Sequence, residues 1–496
     1  MTSGALLGFT LLAPLAGAAA IALLRARPNA RETASLVASG TLFVIVLQVY
    51  LAVSGGNRPE LALAEPIPGI SITLEAEPLG VLFALVASFL WIVTTMYSIG
   101  YMRGHRESNQ TRFYLFFAFA IASAMGVAFA GNLFTLFVFY ELLSLTTFPL
   151  VTHAGTAKAR RAGRVYLGIL LTTSIGLLLL AIAWTYAITG TLDFREGGIL
   201  EGRAAGAVVP VLLGLYVFGI GKAAVMPLHR WLPAAMVAPT PVSALLHAVA
   251  VVKAGVFAVL KVTVYVFGID FLAEAGASAW LTWVAAATII LGSLVALTKD
   301  NLKARLAYST VSQLSYVVLG AMLASSLGVG GGGMHIVTHA FGKITLFFCA
   351  GAIYVVAHKT EVSQMRGLGR TMPVTMTAFL IGALSVVGVP PLAGSISKWY
   401  LLGATLDAGQ IGLAAVLVVS TLLNVAYLLP IPILAFFSKA EGETADRGPQ
   451  GGTAISEAPV WCLIALSIAA LGCIALFFWA DRVYQLLQPI AAAAGG

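Results

Sequence analysis

The most regular feature of this chain is a series of long apolar runs separated by short segments rich in charged residues, glycine and proline. A helix needs about 20 apolar residues to cross a lipid bilayer. The pattern therefore predicts an all-α polytopic membrane protein with about fourteen transmembrane helices. The predicted helices cover residues 4–24, 33–53, 78–100, 112–130, 132–152, 164–189, 206–226, 241–267, 279–298, 303–324, 332–357, 374–402, 410–437 and 457–480.

The distribution of basic residues between the runs predicts the orientation of the helices. Lysine and arginine are enriched in loops on the cytoplasmic side of a membrane. If the N-terminus lies outside, most of the 28 Lys and Arg residues fall in inner loops, and the outer loops hold only Arg58, Arg195, Arg203 and Arg482. We therefore expect both termini on the outer side of the membrane, N-out and C-out.

Two proline-containing interruptions divide the helices into two groups. Lys222 in the seventh helix precedes one interruption, and Lys398 in the twelfth helix follows the other, at Pro390 and Pro391. Helices five apart cross the membrane in opposite directions, so helices 4–8 and 9–13 would form inverted five-helix repeats with broken helices 7 and 12. The expected segments are helices 1–3 in residues 1–100, the first repeat in 112–267, the inverted repeat in 279–437 and the final helix in 457–480.

Composition narrows the class of protein further. The chain is 59% hydrophobic and 10% charged, which excludes a soluble protein of this length. Its formal net charge of +8 comes from short loops, so it indicates topology and not nucleic-acid binding. The three cysteines lie in apolar runs without a CxxC pair, so we expect neither a disulfide framework nor an iron–sulfur cluster.

Four lysines lie deep in the predicted helices: Lys222, Lys253, Lys343 and Lys398. A lysine at the centre of a membrane helix costs about 2.5–3.5 kcal/mol, so its presence indicates a functional site. Glu141, midway along the fifth helix, is the obvious counter-charge. We expect it to form a pair with Lys222 that controls when this lysine keeps its proton; a static ion pair is the alternative.

The eleventh helix carries a ladder of ionisable residues on one face. His335, His339 and Lys343 are spaced at i, i+4 and i+8, so consecutive members lie about 6 Å apart along the axis, a gap that one water can bridge. This spacing favours a proton relay. Structural histidines and a metal site are the alternatives, although a third ligand nearby and an HExxH motif are both lacking.

The eighth helix adds His247 and Lys253, which are six residues apart and therefore face directions about 120° apart. Such residues are suited to passing a proton between adjacent cavities. Lys261, close to the outer end of the same helix, is expected to extend its ammonium group to the membrane interface.

Several long motifs occur in one order between residues 78 and 437. They are YELLSL around Glu141, GKAAVMPLHRWLPAAMVAPTPVSALLH around Lys222 and His247, DNLKARLAYSTVSQLSY from Asp300 to Tyr316, HIVTHAFGK from His335 to Lys343, and PPLAGSISK ending at Lys398. In these motifs the chain resembles the antiporter-like proton-channel subunits of respiratory complex I, membrane-bound hydrogenases and Mrp-type multisubunit cation/proton antiporters. Lys253 is similar to the lysine of the MrpA and MrpD proteins, and the length favours MrpD.

The resemblance implies a proton-transfer line within a multisubunit complex. Its partners would be other membrane subunits, protons and the lipid bilayer of a bacterial-type inner membrane, with sodium or potassium left open. No cofactor and no metal are implied. The resemblance implies a line of proton-transfer residues that starts at the charge pair of helices five and seven and ends at the exit lysine of helix twelve. These residues are Glu141, Lys222, His247, Lys253, His335, His339, Lys343 and Lys398.

Three functions remain open at this point. The first is a proton-translocating, MrpD-like component of a multisubunit cation/proton antiporter. The second is a proton-pumping subunit of a complex I-type NADH:quinone oxidoreductase or a membrane-bound hydrogenase, and the third is a stand-alone secondary transporter. A subunit with its own redox site would need a cofactor motif, and the sequence contains none that we identify.

Overall fold

The computed structural model describes residues 3–245, 249–439 and 455–492, and these residues are mostly helical. The N-terminal part begins with two antiparallel helices and continues through a β-hairpin into a third helix. Its elements are α1 (Ser3–Leu23), α2 (Pro28–Ser54), β1 (Glu60–Ile67), β2 (Ile70–Glu75) and α3 (Pro78–Gly104).

The β-hairpin is the one departure from the predicted all-α class in this part of the chain. Glu60 pairs with Glu75 at its open end, and Gly69 takes a positive φ of 81° at the turn. The alternating residues of ISITLE and the preceding PIPG turn are typical of a hairpin. Strands of six to eight residues are too short to form the long apolar runs from which the helices are predicted.

The second part contains the helices predicted for the first repeat. They are α4 (Gln110–Ala128), α5 (Leu133–Val151), α6 (Ala157–Thr173), α7 (Leu179–Thr189), α8 (Val208–Gly219), α9 (Trp231–Ala234), α10 (Thr240–Leu245), α11 (Val251–Val262) and α12 (Ile269–Ala275). A π-helical turn at Ser174–Leu178 joins α6 to α7, and another at Thr263–Phe267 follows α11.

The helix that carries Lys222 is broken, as predicted. After α8 the chain forms a short 3-10 turn at Gly221–Ala223, and Ala224 then adopts a left-handed conformation. Helix α11 packs directly on this turn. A Cβ atom at Gly255 would lie 2.3 Å from the backbone nitrogen of Ala223, so only glycine permits this approach.

The third part contains the helices predicted for the second repeat and the C-terminal helices. They are α13 (Ala279–Thr298), α14 (Leu302–Met322), α15 (Ser326–Ala357), α16 (Leu368–Thr371), α17 (Pro373–Val387), α18 (Gly394–Asp407), α19 (Ile411–Leu428), α20 (Pro430–Phe437), α21 (Val460–Phe478) and α22 (Ala480–Ala492). The predicted twelfth helix is broken between α17 and α18.

Helix α15 lies at the centre of the molecule. It packs against α3, α14, α17, α18 and α21, and its residues from Gly328 to Ile353 are buried. Within the described ranges, ten helices are long and apolar enough to cross a membrane, and the bent pair of α11 and α12 would make eleven. The chain is therefore a mostly helical, multi-pass membrane protein.

Candidate proton-transfer site

Lys222 lies fully buried on the 3-10 turn after α8. Its Nζ donates to the carbonyl oxygen of Tyr140 at 2.8 Å and to Oγ of Ser144 at 2.6 Å, and it lies 3.2 Å from the centre of the Tyr140 ring. One face of α5 thus supplies oxygen and aromatic partners to this ammonium group. The cation–π contact adds to the two hydrogen bonds.

Glu141 does not make a direct ion pair with Lys222. Among the described residues, both carboxylate oxygens of Glu141 are buried without a hydrogen-bond partner. The predicted coupling of Glu141 to Lys222 would therefore act without direct contact.

Lys253 on α11 has a partner that the sequence did not reveal. Its Nζ lies 2.6 Å from Nδ1 of His339 on α15, and both side chains are buried. The rings of His339 and His335, which the i, i+4 spacing placed on one face of the helix, stack with centroids 5.5 Å apart. The line of ionisable residues therefore passes from the first group of helices to the second at this lysine–histidine contact.

His335 continues this line towards α18. Its Nδ1 lies 2.9 Å from Oγ of Ser397, and its ring stacks on that of Tyr316 at 5.3 Å. Lys398 Nζ lies 5.3 Å from the centre of the same Tyr316 ring. Tyr316 thus lies between His335 and the predicted exit lysine.

Lys398 is held at the break between α17 and α18. Its Nζ donates to the carbonyl oxygen of Val387, the last residue of α17, at 2.8 Å, and to Oγ1 of Thr421 at 3.4 Å. Carbonyl groups at a helix C-terminus lack intrahelical partners and attract a cation. The broken helix therefore provides a site for this ammonium group within the membrane.

Lys343 is the last member of the ladder on α15, and its hydrogen-bond partners lie on α14. Its Nζ donates to Oγ of Ser309 at 2.6 Å and to the carbonyl oxygen of Leu306 at 3.3 Å. His247, the remaining predicted residue, lies outside the described residues. The structure thus brings Lys253, His339, His335 and Lys398 into one connected line, whereas the proton-transfer role of all eight residues stays a prediction.

Lys261 differs from the sequence-based expectation. It does not extend to the membrane interface but is 1% exposed, with Nζ 3.2 Å from Oε1 of Glu77 and 2.7 Å from the carbonyl oxygen of Ala130. Glu77 also accepts hydrogen bonds from the first backbone NH groups of α3. Glu77 is thus the N-cap residue of α3 and immediately precedes an apolar run in the sequence. An acid at such a position is the signal that could have identified the pair.

Asp300 lies outside the membrane-spanning segments, and its titratable carboxylate holds a loop in place. Its carboxylate accepts hydrogen bonds from the hydroxyl and the backbone NH of Ser363, at 2.6 and 3.0 Å. The hydroxyl contact is the main cause that lowers the pKa of Asp300 below its ordinary value. It ties the connection between α13 and α14 to the segment after α15.

The described residues contain no group of three or more His, Cys, Asp or Glu side chains that could hold a metal ion. His335 and His339 each keep one buried ring nitrogen, Nε2, without a partner in the described structure. Buried polar atoms of this kind are commonly satisfied by water. The arrangement of lysines, histidines and hydroxyls is suited to moving protons.

Fold and site together define a multi-pass membrane protein with a buried line of proton-exchanging side chains. Residues 130–424 match the family described as "NADH:quinone oxidoreductase/Mrp antiporter, TM". The chain belongs to this family, and the resemblance inferred from its motifs is confirmed. It is an antiporter-like membrane subunit.

Curated relatives come from several kinds of complex. The chain is 34% identical over 429 residues to NADH-quinone oxidoreductase subunit N of Desulforudis audaxviator, covering 84% of each chain. It is 30% identical over 447 residues to hydrogenase-4 component B of Escherichia coli, covering 86% of this chain and 65% of that one. It matches only half the length of NAD(P)H-quinone oxidoreductase chain 5 of Synechocystis, at 34% identity over 67% of this chain.

Solved structures share the fold over nearly the whole chain. A chain of the Mrp complex from Dietzia sp. DQ12-45-1b superposes with a TM-score of 0.85 at 24% identity, covering 99% of this chain and 97% of that one. A chain of the membrane-bound sulfane sulfur reductase, an archaeal respiratory membrane complex, superposes with a TM-score of 0.86 at 23% identity, with coverages of 98% and 97%.

Proposed function

We propose that this chain is the proton-translocating, MrpD-like component of a multisubunit cation/proton antiporter. The observation that carries the proposal is the connected line from Lys253 through His339 and His335 to Tyr316 and Lys398, buried across the junction of two groups of helices. Every ionisable member of this line can bind and release a proton. Such groups inside a membrane mark ion pathways.

The proposal includes fourteen membrane crossings with both termini outside. Helices α8 and α14, the broken pair of α17 and α18, and the bent pair of α11 and α12 supply the crossings beyond the ten long apolar helices. The predicted segments 1–100, 112–267, 279–437 and 457–480 are part of it, with the two middle segments as inverted repeats. The breaks beside Lys222 and Lys398 support this pairing, because ion sites of inverted-repeat transporters lie at broken helices.

Proton transfer would start near Lys222, where α11 packs on the broken turn. Lys222 would release its proton towards Lys253 when Glu141 no longer favours its charged form. The proton would pass from Lys253 to His339, along the ladder and to Lys398. A membrane potential of 100 mV supplies about 2.3 kcal/mol per charge, comparable to the cost of about 2.5–3.5 kcal/mol for one deep lysine.

A second candidate is a proton-pumping subunit of a complex I-type oxidoreductase or membrane-bound hydrogenase. The observation in its favour is the match to NADH-quinone oxidoreductase subunit N over 84% of both chains. In either case the partners are other membrane subunits in a bacterial-type inner membrane. Purification of the native complex followed by mass spectrometry of its subunits distinguishes the two, since only the second requires redox subunits.

Transport by the complex in sealed vesicles tests the proposal. Lys222→Ala and Lys398→Ala should each reduce cation-driven or redox-driven proton movement, followed with a pH-sensitive dye, by at least about tenfold, equivalent to 1.4 kcal/mol in the barrier. Lys158→Ala, at an exposed lysine, is the matched control. Unchanged transport in both deep variants would reject the proposal, and transport by this chain alone would favour a stand-alone transporter.

A further inference from the structure

Helix α11 is apolar except for two lysines. All twelve of its residues, Val251–Val262, are buried, and Lys253 and Lys261 are the two that carry a polar side chain. Apolar side chains pack by van der Waals contact, which has little directional preference, whereas a hydrogen bond requires a set distance and angle. The two lysines therefore make the directional side-chain contacts that define where α11 lies along its own axis.

The two lysines contact different helices. They are eight residues apart, which places them about 12 Å apart along the axis and about 80° apart around it. Lys253 contacts His339 on α15, whereas Lys261 contacts Glu77, the N-cap residue of α3, and the carbonyl oxygen of Ala130. One contact belongs to the proposed proton line, and the other holds the C-terminal end of the same helix.

The carboxylate of Glu77 is buried and has two hydrogen-bond donors on each oxygen atom. Oε1 accepts from the backbone NH of Gly80 at 2.8 Å and from Nζ of Lys261 at 3.2 Å. Oε2 accepts from the backbone NH of Leu79 at 2.6 Å and from the hydroxyl of Tyr265 at 3.0 Å. This one carboxylate thus joins the first turn of α3 to the last turn of α11 and to the π-helical turn that follows.

Helix α3 is itself fixed to α15. The hydroxyl of Tyr97 on α3 donates to the carbonyl oxygen of Phe348 on α15 at 2.8 Å, and the two rings stack with centroids 4.1 Å apart. Together with the two lysine contacts of α11, this bond closes a triangle of α3, α11 and α15. Each pair of helices in the triangle has a polar contact, so loss of one contact loosens the position of the helices at the other two.

We propose that Glu77 is a positioning residue for proton transfer. Through Lys261 and Tyr265 it holds α11 at one height against α3, and at that height Lys253 meets His339 on α15. Transfer of a proton requires donor and acceptor within hydrogen-bonding reach, so a displaced α11 would slow the step between these two residues. This inference rests on the proposed function and adds to it a carboxylate that carries no proton along the line.

A double substitution in the reconstituted complex tests the proposal. Removing one partner alone would leave a buried charge uncompensated and destabilise the protein. Glu77→Gln combined with Lys261→Met removes both charges, and glutamine keeps an acceptor oxygen for the first turn of α3. We expect normal assembly, measured by size-exclusion chromatography, and a proton turnover about fivefold to tenfold lower than in the parent complex.

The matched control removes another ion pair of the chain. Arg58→Met combined with Glu196→Gln eliminates a 2.7 Å pair between partly exposed side chains outside α3, α11 and α15. Exposed ion pairs contribute little to stability, so this variant should keep the turnover of the parent complex. Turnover of the Glu77→Gln/Lys261→Met complex equal to that of the control would overturn the proposal.

A His339→Ala background separates positioning from a general packing defect. The Lys253 contact is already lost there, so the double substitution should not lower the residual turnover further, because effects that act through one contact are not additive. An equal proportional loss in both backgrounds would overturn the inference. If Lys398→Ala lost transport while Glu77→Gln/Lys261→Met kept it, the proposed function would stand and this inference alone would fail.

Tyr265→Phe provides the same test with a smaller change, should the double variant assemble poorly. It removes one hydroxyl bond to Glu77 and leaves the ion pair with Lys261 in place. Turnover should fall about twofold in the parent complex and stay unchanged in the His339→Ala background. A Tyr265→Phe complex as active as the parent complex would also count against the proposal.

Discussion

The Nζ atom of Lys253 on α11 lies 2.6 Å from Nδ1 of His339 on α15, and neither side chain reaches solvent. Within the line of ionisable residues, this contact links the two predicted groups of helices, residues 112–267 and 279–437. A proton shared across it belongs to both groups. The contact is therefore the position at which a substitution should separate uptake on one side of the line from release on the other.

Lys253 and His339 should behave as one unit in transport. Lys253→Ala and His339→Ala should each reduce proton turnover by at least about tenfold. Because either change interrupts the same step, the double variant should be no slower than the worse single variant, whereas independent residues give additive effects. Dye-based transport in vesicles measures all three; additive losses would contradict the connected line.

Gly255 should be essential for the packing that positions Lys222. A Cβ atom at this position would lie 2.3 Å from Ala223 N and 2.4 Å from the backbone carbon of Lys222. Gly255→Ala should therefore lower the free energy of unfolding by about 1–3 kcal/mol, the usual cost of overpacking. Thermal unfolding in detergent and vesicle transport should both reveal the loss.

Gly168→Ala on α6 is the control for this substitution, since a Cβ atom there would meet nothing within 4 Å. It should leave transport unchanged and raise stability slightly, because alanine loses less backbone entropy in a helix than glycine. Equal stability and transport of Gly255→Ala and Gly168→Ala would show that α11 can move away from the broken turn at no cost.

The sequence predicted the broken helices and the ladder because both depend on local rules. Proline interrupts a helix, and residues at i and i+4 share a face. The partner of Lys253 could not be predicted in this way, since the spacing within one helix says nothing about which helix lies opposite. Tyr316 and Ser397 were missed for the same reason.

Glu141 shows the limit of reasoning from charge alone. The single deep acid was the natural partner for a deep lysine, yet Lys222 is held by the Tyr140 carbonyl oxygen and the Ser144 hydroxyl. Neutral oxygen atoms and an aromatic ring can hold a lysine without a carboxylate, and a sequence offers too many such atoms to choose among. Lys261 is the converse case, because it pairs with Glu77, an acid that the hydropathy pattern placed in a loop.

Ser363 should stabilise the protein in a pH-dependent manner through Asp300. Its hydroxyl lowers the pKa of Asp300 in the folded protein. The resulting stabilisation is present above the ordinary aspartate pKa of about 3.9 and is lost as the pH falls through the lower folded value. Ser363→Ala should therefore be less stable than the parent protein at pH 6, with a difference that shrinks below about pH 3.9 and vanishes only below the lowered folded pKa of Asp300. Chemical unfolding in detergent across this range measures it; an Asp300→Asn background should abolish the difference, and a difference independent of pH would contradict the mechanism.

Glu141 should influence transport even though its carboxylate touches no described hydrogen-bond donor. A buried carboxylate without a partner strongly favours nearby positive charge, so Glu141→Gln should weaken the preference of Lys222 for its charged form. We expect proton turnover to fall about fivefold to tenfold, with normal assembly, because glutamine has the same shape and removes only the charge. The matched control is Glu274→Gln, at an exposed acid. Vesicle transport compares the two variants. If the Glu141→Gln protein were as active as the control, the carboxylate would not act on Lys222. The line from Lys253 to Lys398 would then work without a switch at this position.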